Sequence, residues 1–160
     1  RRLETLFQAA GVERNPAIAP SGRFLAYNSD ESGTSQVYVR PFPNAGSRQW
    51  QISTDGGAGP VWTRDGSEIV FRDSQGWMVA VAVLKARDGE FDYSKTEQLF
   101  KVGLGGEPGG HRDWDVTTDG ERFLVLESDR VAEGTQTALE MILIQNWTEE
   151  LKRLAPREPR

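Results

Sequence analysis

Pro60-Val61-Trp62-Thr63-Arg64-Asp65-Gly66-Ser67-Glu68-Ile69-Val70-Phe71 reads as a short apolar strand, an Asp-Gly turn and a second apolar strand. Asp-Gly between two apolar runs is a strong hairpin signal, because Gly tolerates positive φ and Asp tolerates the left-handed region. The same pattern stands upstream at Pro16-Ala17-Ile18-Ala19-Pro20-Ser21-Gly22-Arg23-Phe24-Leu25-Ala26-Tyr27. It returns downstream at Trp114-Asp115-Val116-Thr117-Thr118-Asp119-Gly120-Glu121-Arg122-Phe123-Leu124-Val125. The chain is organised as a repeat.

Each hairpin has the same flanks. Before it stands a short strand: Leu3-Glu4-Thr5-Leu6-Phe7-Gln8, then Gln49-Trp50-Gln51-Ile52-Ser53-Thr54, then Thr96-Glu97-Gln98-Leu99-Phe100-Lys101. After it come a polar turn and a third run, Gln36–Phe42, Trp77–Val83 and Leu139–Ile144, rich in Val, Ile, Tyr and Trp. The unit is thus four strands, and the copies span 3–42, 48–84 and 96–145. Gly22 and Gly66 lie 44 residues apart and Gly66 and Gly120 lie 54 apart. The longer gap is assigned to polar, Gly-rich insertions at Lys85–Lys95 and Gly103–Gly110. A four-stranded repeat of about 40–45 residues is the pattern of a β-propeller blade. The fold class expected is all-β, a propeller with three four-stranded blades per chain, half of a six-bladed ring. Trp147, Leu151 and Leu154 at helical spacing, with Thr148 to cap and Pro156 to stop, predict a short amphipathic C-terminal helix over 147–155.

Composition fits a soluble globular domain, with 37% hydrophobic and 27% charged residues in 160. A net charge of −5 with scattered basic residues speaks against a nucleic-acid surface. The absence of cysteine removes disulfides, thiolate metal sites and cysteine nucleophiles, and suits cytoplasm and periplasm equally. No apolar run approaches the ~20 residues of a membrane span. The chain opens Arg1-Arg2 without an initiator Met, as a trimmed chain or a piece of a longer one would.

The repeats resemble the TolB-type, WD-repeat-like β-propellers, whose blades carry a Ser-Pro-Asp-Gly-like turn. Ser21 stands in the Asp place of the first turn, Arg64 in the Pro place of the second and Thr118 in the Pro place of the third. Phe24–Pro43, with Ser29-Asp30-Glu31-Ser32-Gly33 and Val37-Tyr38-Val39-Arg40-Pro41-Phe42-Pro43, is similar to the propeller that follows the kinase domain in many bacterial serine/threonine kinases. So is the ending Asn146-Trp147-Thr148-Glu149-Glu150-Leu151-Lys152. The resemblance implies the fold; propellers host unrelated activities. Kinase motifs themselves are missing from the chain.

Three blades do not close a ring, since propellers have about 4–8. The expected remedy is a C2 homodimer in which strand 3–8 of each copy pairs on strand 139–144 of the other, giving six blades. Propeller ligands gather at the axial mouth, on the loops entering the inner strands. Alignment on the turn glycines makes Glu13, Gly57 and His111 equivalent, then Arg14, Ala58 and Arg112, then Asn15, Gly59 and Asp113. The outer units offer polar residues where the middle unit offers small ones.

Glu13, Arg14, Asn15, His111, Arg112, Asp113 and Asp115 are therefore the candidate site. His111 is the lone histidine, a solvated loop residue or an imidazole base or ligand. His111, Asp113, Asp115 and Glu13 form an oxygen-rich set suited to calcium, magnesium or manganese. Arg14 and Arg112 suit a carboxylate or phosphate, or a surface pair with Glu13 and Asp113. Trp50, Trp62, Trp77 and Trp114 are read as inter-blade core, with a stacking platform for sugars or peptides as the alternative, and Trp147 as the helix anchor. The functional expectation is a non-catalytic module binding a peptide, protein or small ligand. Its rival is a metal-dependent hydrolase or lyase acting in the axial cavity, with His111, Asp113 and Glu13 as catalytic candidates.

Overall fold

The structure, a computed structural model, describes residues 3–46, 48–102, 111–117, 120–128 and 139–145. The expected helix over 147–155 with Trp147, the loop 103–110 and the loop after Ser128 lie outside these residues. The described residues are all-β, in three antiparallel sheets. Among them no helix is long and apolar enough to cross a membrane.

Sheet one runs in the order β1 (Glu13–Ile18), β2 (Phe24–Ser29), β3 (Gln36–Pro41) and β4 (Trp50–Gln51). Sheet two has β5 (Ala58–Trp62), β6 (Glu68–Arg72) and β7 (Trp77–Arg87) in order, with β8 (Glu90–Tyr93) and β9 (Glu97–Lys101) both pairing on β7. Sheet three is β10 (Trp114–Val116), β11 (Arg122–Ser128) and β12 (Leu139–Gln145). The strand that precedes each hairpin therefore completes the sheet before it. Trp50–Gln51 pairs on β3, and Glu97–Lys101 pairs on β7.

The three turns share one geometry. Gly22, Gly66 and Gly120 have φ of 68°, 72° and 76°. Their N–H groups donate to Ala19, Thr63 and Thr117 carbonyls at 2.8, 2.9 and 2.8 Å. Only the glycine of Asp65-Gly66 is left-handed. Asp65 serves instead as an acceptor: its Oδ1 takes hydrogen bonds from Thr63 Oγ1, Ser67 N and Ser67 Oγ at 2.9, 3.0 and 2.8 Å. In the first turn Ser21 Oγ takes the Arg23 N–H in the corresponding place, at 3.4 Å.

Alternation within strands sends one set of side chains to each neighbouring sheet. Between sheets one and two lie Phe24, Ala26, Val37, Val39, Ile52, Ile69, Phe71 and Val81. Between sheets two and three lie Val70, Met78, Leu99, Trp114, Phe123 and Val125. Trp62 and Trp114 are buried, and Trp62 Nε1 donates to the Ala17 carbonyl at 3.0 Å. Trp50 packs edge-on to Phe24, while Trp77 is half-buried with Lys101 Nζ 5.9 Å from its ring centre.

One expectation is corrected. Lys85–Lys95 is no polar insertion: β7 continues to Arg87 and turns at Asp88-Gly89, with φ of 57° and 74°, into β8. Positive φ at both loop residues is the type I′ hairpin geometry. That hairpin drives Phe91 into the core between sheets one and two. Within the single chain Leu3–Gln8 pairs with none of the described strands. Its Phe7 packs on Tyr27 with ring centres 5.3 Å apart.

Glu68, at the start of β6, is half-buried. Burial first, and then the charges of Asp65 and Glu97, raise its pKa above the ordinary carboxylate value. A carboxyl raised on folding contributes stability below its unfolded pKa that is lost as pH rises through the folded one. Glu68→Gln is therefore expected to raise the thermal midpoint at pH 7, with the gain vanishing below about pH 4. Melting curves across that range check it.

Candidate functional site

The inner strands of the first two sheets carry the same irregularity. β1 shifts register between Arg14 and Ala17, and β5 between Ala58 and Val61. The residues at the shift are Asn15 (φ 51°) and Gly59 (φ 66°), each followed by a proline. A bulge re-aims the chain locally. Here it turns Asn15 toward the centre, where a side-chain network joins all three sheets.

Asn15 Nδ2 donates to Asn28 Oδ1 at 2.9 Å, and Asn15 Oδ1 accepts the Arg112 N–H at 3.1 Å. Asn28 Oδ1 also accepts the Gly59 N–H at 3.2 Å, and Asn28 Nδ2 donates to Ser35 Oγ at 3.1 Å. Ser35 Oγ in turn donates to the Gly57 carbonyl at 2.9 Å. Asn28 is fully buried, so these bonds replace water it cannot reach. The small residues of the middle unit have a steric reason. A Cβ on Gly59 would lie 3.1 Å from Arg112 Cγ and 3.2 Å from Trp114 Nε1. A Cβ on Gly57 would lie 2.8 Å from Val37 Cγ2. Sheets one and three meet across a bare backbone.

Arg72, buried at the end of β6, points Nη1 at both carboxylate oxygens of Asp113, at 3.0 and 3.1 Å. This ties sheet two to the strand entering sheet three. Arg112 Nη2 approaches Asp115 at 3.8 Å, an exposed pair. His111 is exposed, beside a niche of about 10 Å³ lined by Ala58, Gly59, Arg72, Arg112 and Trp114. Glu13 is exposed on β1 opposite Ser29.

The expected metal set is not assembled. Among the described residues no three His, Asp or Glu side chains converge on one point, and both oxygens of Asp113 face Arg72. A divalent cation needs several oxygens at about 2.0–2.6 Å, and these residues do not fit one as placed.

A cleft of about 660 Å³ opens between sheets one and two, at the end where the inner strands begin. Arg14 on β1 and Gln36 on β3 line it from sheet one, Asp30 and Thr34 from the β2–β3 turn, and Gly56-Gly57 and Asp73 from the segments flanking β5 and β6. Its walls are tightly held. Asp30 Oδ1 accepts the Val12 N–H at 2.8 Å, and Asp73 Oδ1 accepts those of Gln75 and Trp77, both at 2.8 Å. Gln36 Oε1 accepts Ser53 Oγ–H at 2.6 Å, while Ser53 Oγ accepts the Val37 N–H at 2.8 Å.

Of the sequence candidates, Asn15, Arg112 and Asp113 meet in the central network, and Arg14 lines the cleft. Among the described residues Glu13 and His111 take part in neither the central network nor the cleft. Asn28, Ser35, Gln36, Arg72 and Asp73 were missed. Their signal was polar character at the ends of the second and third strands, with Asn28 and Arg72 at equivalent repeat positions.

No family model matches the chain, and no curated protein matches it. Solved structures do. A chain assigned as TolB from Agrobacterium tumefaciens is 16% identical with a TM-score of 0.59, over 89% of this chain and 48% of that one. An oligogalacturonate lyase from Vibrio parahaemolyticus is 14% identical with a TM-score of 0.60, over 89% of this chain and 40% of that one. The chain thus spans less than half the length of either, and at such identity the likeness is one of fold. The three sheets are blades, and the chain has the TolB-like β-propeller fold.

Proposed function

We propose that the chain is a non-catalytic binding module, three blades of a six-bladed ring whose axial end receives a peptide, a protein segment or a small polar ligand. The observation that carries this reading is the cleft of about 660 Å³ between the first two blades. That volume lies within the range of pockets that hold small ligands. Arg14, Thr34 and Gln36 offer donors around it, and Gly56-Gly57 allow a ligand close to backbone. Asp30 and Asp73 each hold a loop through one oxygen, and Asp113 is engaged by Arg72. That is a pre-formed frame for recognition by hydrogen bonds.

Saturation-transfer NMR with a panel of short peptides, sugar acids and small polar metabolites tests it. At least one class is expected to bind, with Arg14→Ala weakening it about tenfold, the loss of one charge-assisted hydrogen bond. The unfolding midpoint of that variant should match the parent. Turnover of an ester, phosphoester or uronate substrate that stops with chelator and in His111→Ala would replace this reading with the metal-dependent hydrolase or lyase.

A further inference from the structure

Equivalent positions of the three blades differ sharply in exposure at the two ends of the arc. In β11–β12 Ile144 stands opposite Phe123, as Val81 stands opposite Ile69 in β6–β7. Met141 and Leu143 therefore occupy the places of Met78 and Ala80. Met78 and Ala80 are 0% and 7% exposed, covered by the next blade, whereas Met141 and Leu143 are 67% and 51% exposed. Leu124 and Leu126, beside them on β11, are exposed as well. This is the face on which a following blade packs, and among the described residues nothing covers it.

The other end of the arc shows the complement. Leu6, Ile52 and Leu99 are equivalent residues of the strand preceding each hairpin. Ile52 and Leu99 are 2% and 6% exposed in or beside that paired strand, and Leu6 is 40% exposed. Yet Phe7 already lies on the same face of the following blade as its counterpart does, two residues further along the strand. Phe100 packs on Phe123 of the next blade at 4.9 Å, and Phe7 packs on Tyr27 of its own first blade at 5.3 Å. Arg40 holds the ring from outside, its Cζ 4.6 Å from the Phe7 centre while its Nε donates to Tyr27 Oη at 2.6 Å.

We propose that a second copy of this chain fills both ends at once: residues 3–8 of each copy add to β12 of the other as its fourth strand, and the first blade of each covers the Leu124, Leu126, Met141 and Leu143 face of the other. The inference rests on the reading of the chain as three blades of a six-bladed ring. Among the described residues, residues 3–8 pair with no sheet and β12 has an unpaired edge; a twofold axis brings the two together, twice, and an isologous contact of this kind closes. The repeat also sets the register. Phe100 pairs with Met78, Gln98 with Val79 and Glu97 with Ala80, so Phe7 comes opposite Met141, Thr5 opposite Ile142 and Glu4 opposite Leu143.

The chain has no cysteine, so single cysteines report pairing without background. Glu4→Cys and Leu143→Cys proteins are mixed, oxidised and run on a non-reducing gel, with Glu4→Cys plus Gln145→Cys as the out-of-register control. The expected result is a covalent dimer for the in-register mixture at several times the control yield. Sedimentation should show the parent at twice 17.8 kDa. Leu6→Asp and Met141→Asp, both at exposed positions, should each weaken association about 100-fold or more with the urea midpoint of the monomer retained. A stable monomer overturns the proposal, and so does a dimer that ignores both substitutions and gives no bridge. A monomer that still binds a ligand in the cleft would leave the binding-module reading standing and sink the exchange; a bridged dimer that binds nothing would do the reverse.

Discussion

Phe91→Ala is expected to destabilise the chain by about 3–5 kcal/mol, as large-to-small changes in aromatic cores do. Phe91 is buried among four rings: Phe24 at 5.4 Å, Trp50 at 5.6 Å, Trp62 at 6.1 Å and Tyr93 at 5.8 Å between centres. These belong to β2, β4, β5 and β8, so no single element can move to fill the space. A cavity that cannot collapse puts the cost in the upper part of the range. Urea unfolding followed by tryptophan fluorescence measures it, and Trp50 and Trp62 report from the cavity wall. Phe91→Leu should recover more than half of the loss. Exposed neighbours on the same hairpin give the contrast: Glu90→Ala and Asp92→Ala should leave the urea midpoint close to that of the parent. If Phe91→Ala is as mild as they are, the hairpin is the surface insertion its composition suggests, and the core has been drawn wrongly.

That hairpin shows where the sequence was legible and where it was not. Asp88-Gly89 is the same dipeptide that marks the turn at Asp65-Gly66, yet its flanks, Lys85-Ala86-Arg87 and Glu90-Phe91-Asp92-Tyr93, are mostly polar. The polar residues face water because β8 extends the far half of β7 beyond the blade, and Phe91, with Ala86 and Tyr93 partly buried beside it, supplies the burial. Periodicity detects a stripe, and Phe91 and Tyr93 alone make too short a one. The blade turns were readable because each rests on one glycine at positive φ, a local demand that recurs at Gly22, Gly66 and Gly120. Leu3–Gln8 was readable as a repeat copy, but a strand needs a neighbour, and sequence similarity does not provide one. The site divided in the same way. Asn15, Arg112 and Asp113 were found because they lie at equivalent places on the loops entering the inner strands. Asn28 was hidden inside Leu25-Ala26-Tyr27-Asn28-Ser29, where its partners are 13 and 31 residues away. A buried strand asparagine signals a long-range network without saying to whom it binds.

Asp113→Ala is expected to cost about 3 kcal/mol, and Arg72→Met about 1–2. The asymmetry follows from burial. The Arg72 side chain is 8% exposed and that of Asp113 is 20% exposed. Removing the carboxylate takes the anionic partner from a guanidinium that water barely reaches, whereas removing the arginine leaves a carboxylate with access to solvent. The double variant Arg72→Met/Asp113→Leu should recover most of the loss, since apolar replacements of a buried pair are often neutral or better. A double-mutant cycle in urea reads the coupling directly, and about 2 kcal/mol is expected. Raising salt from 0.15 to 1 M should hardly change that coupling, because buried charges are screened little. Arg112 and Asp115, exposed and 3.8 Å apart, supply the comparison: Asp115→Ala should be within about 0.5 kcal/mol of the parent. The pair also has a positional role, since Asp113 follows directly on the residue whose N–H reaches Asn15 across Gly59. Asp113→Ala should therefore speed hydrogen exchange at the Arg112 amide, with smaller changes at the amides of β2. Near-zero coupling, or unchanged Arg112 exchange, would mean that the second and third blades are joined by their apolar core alone.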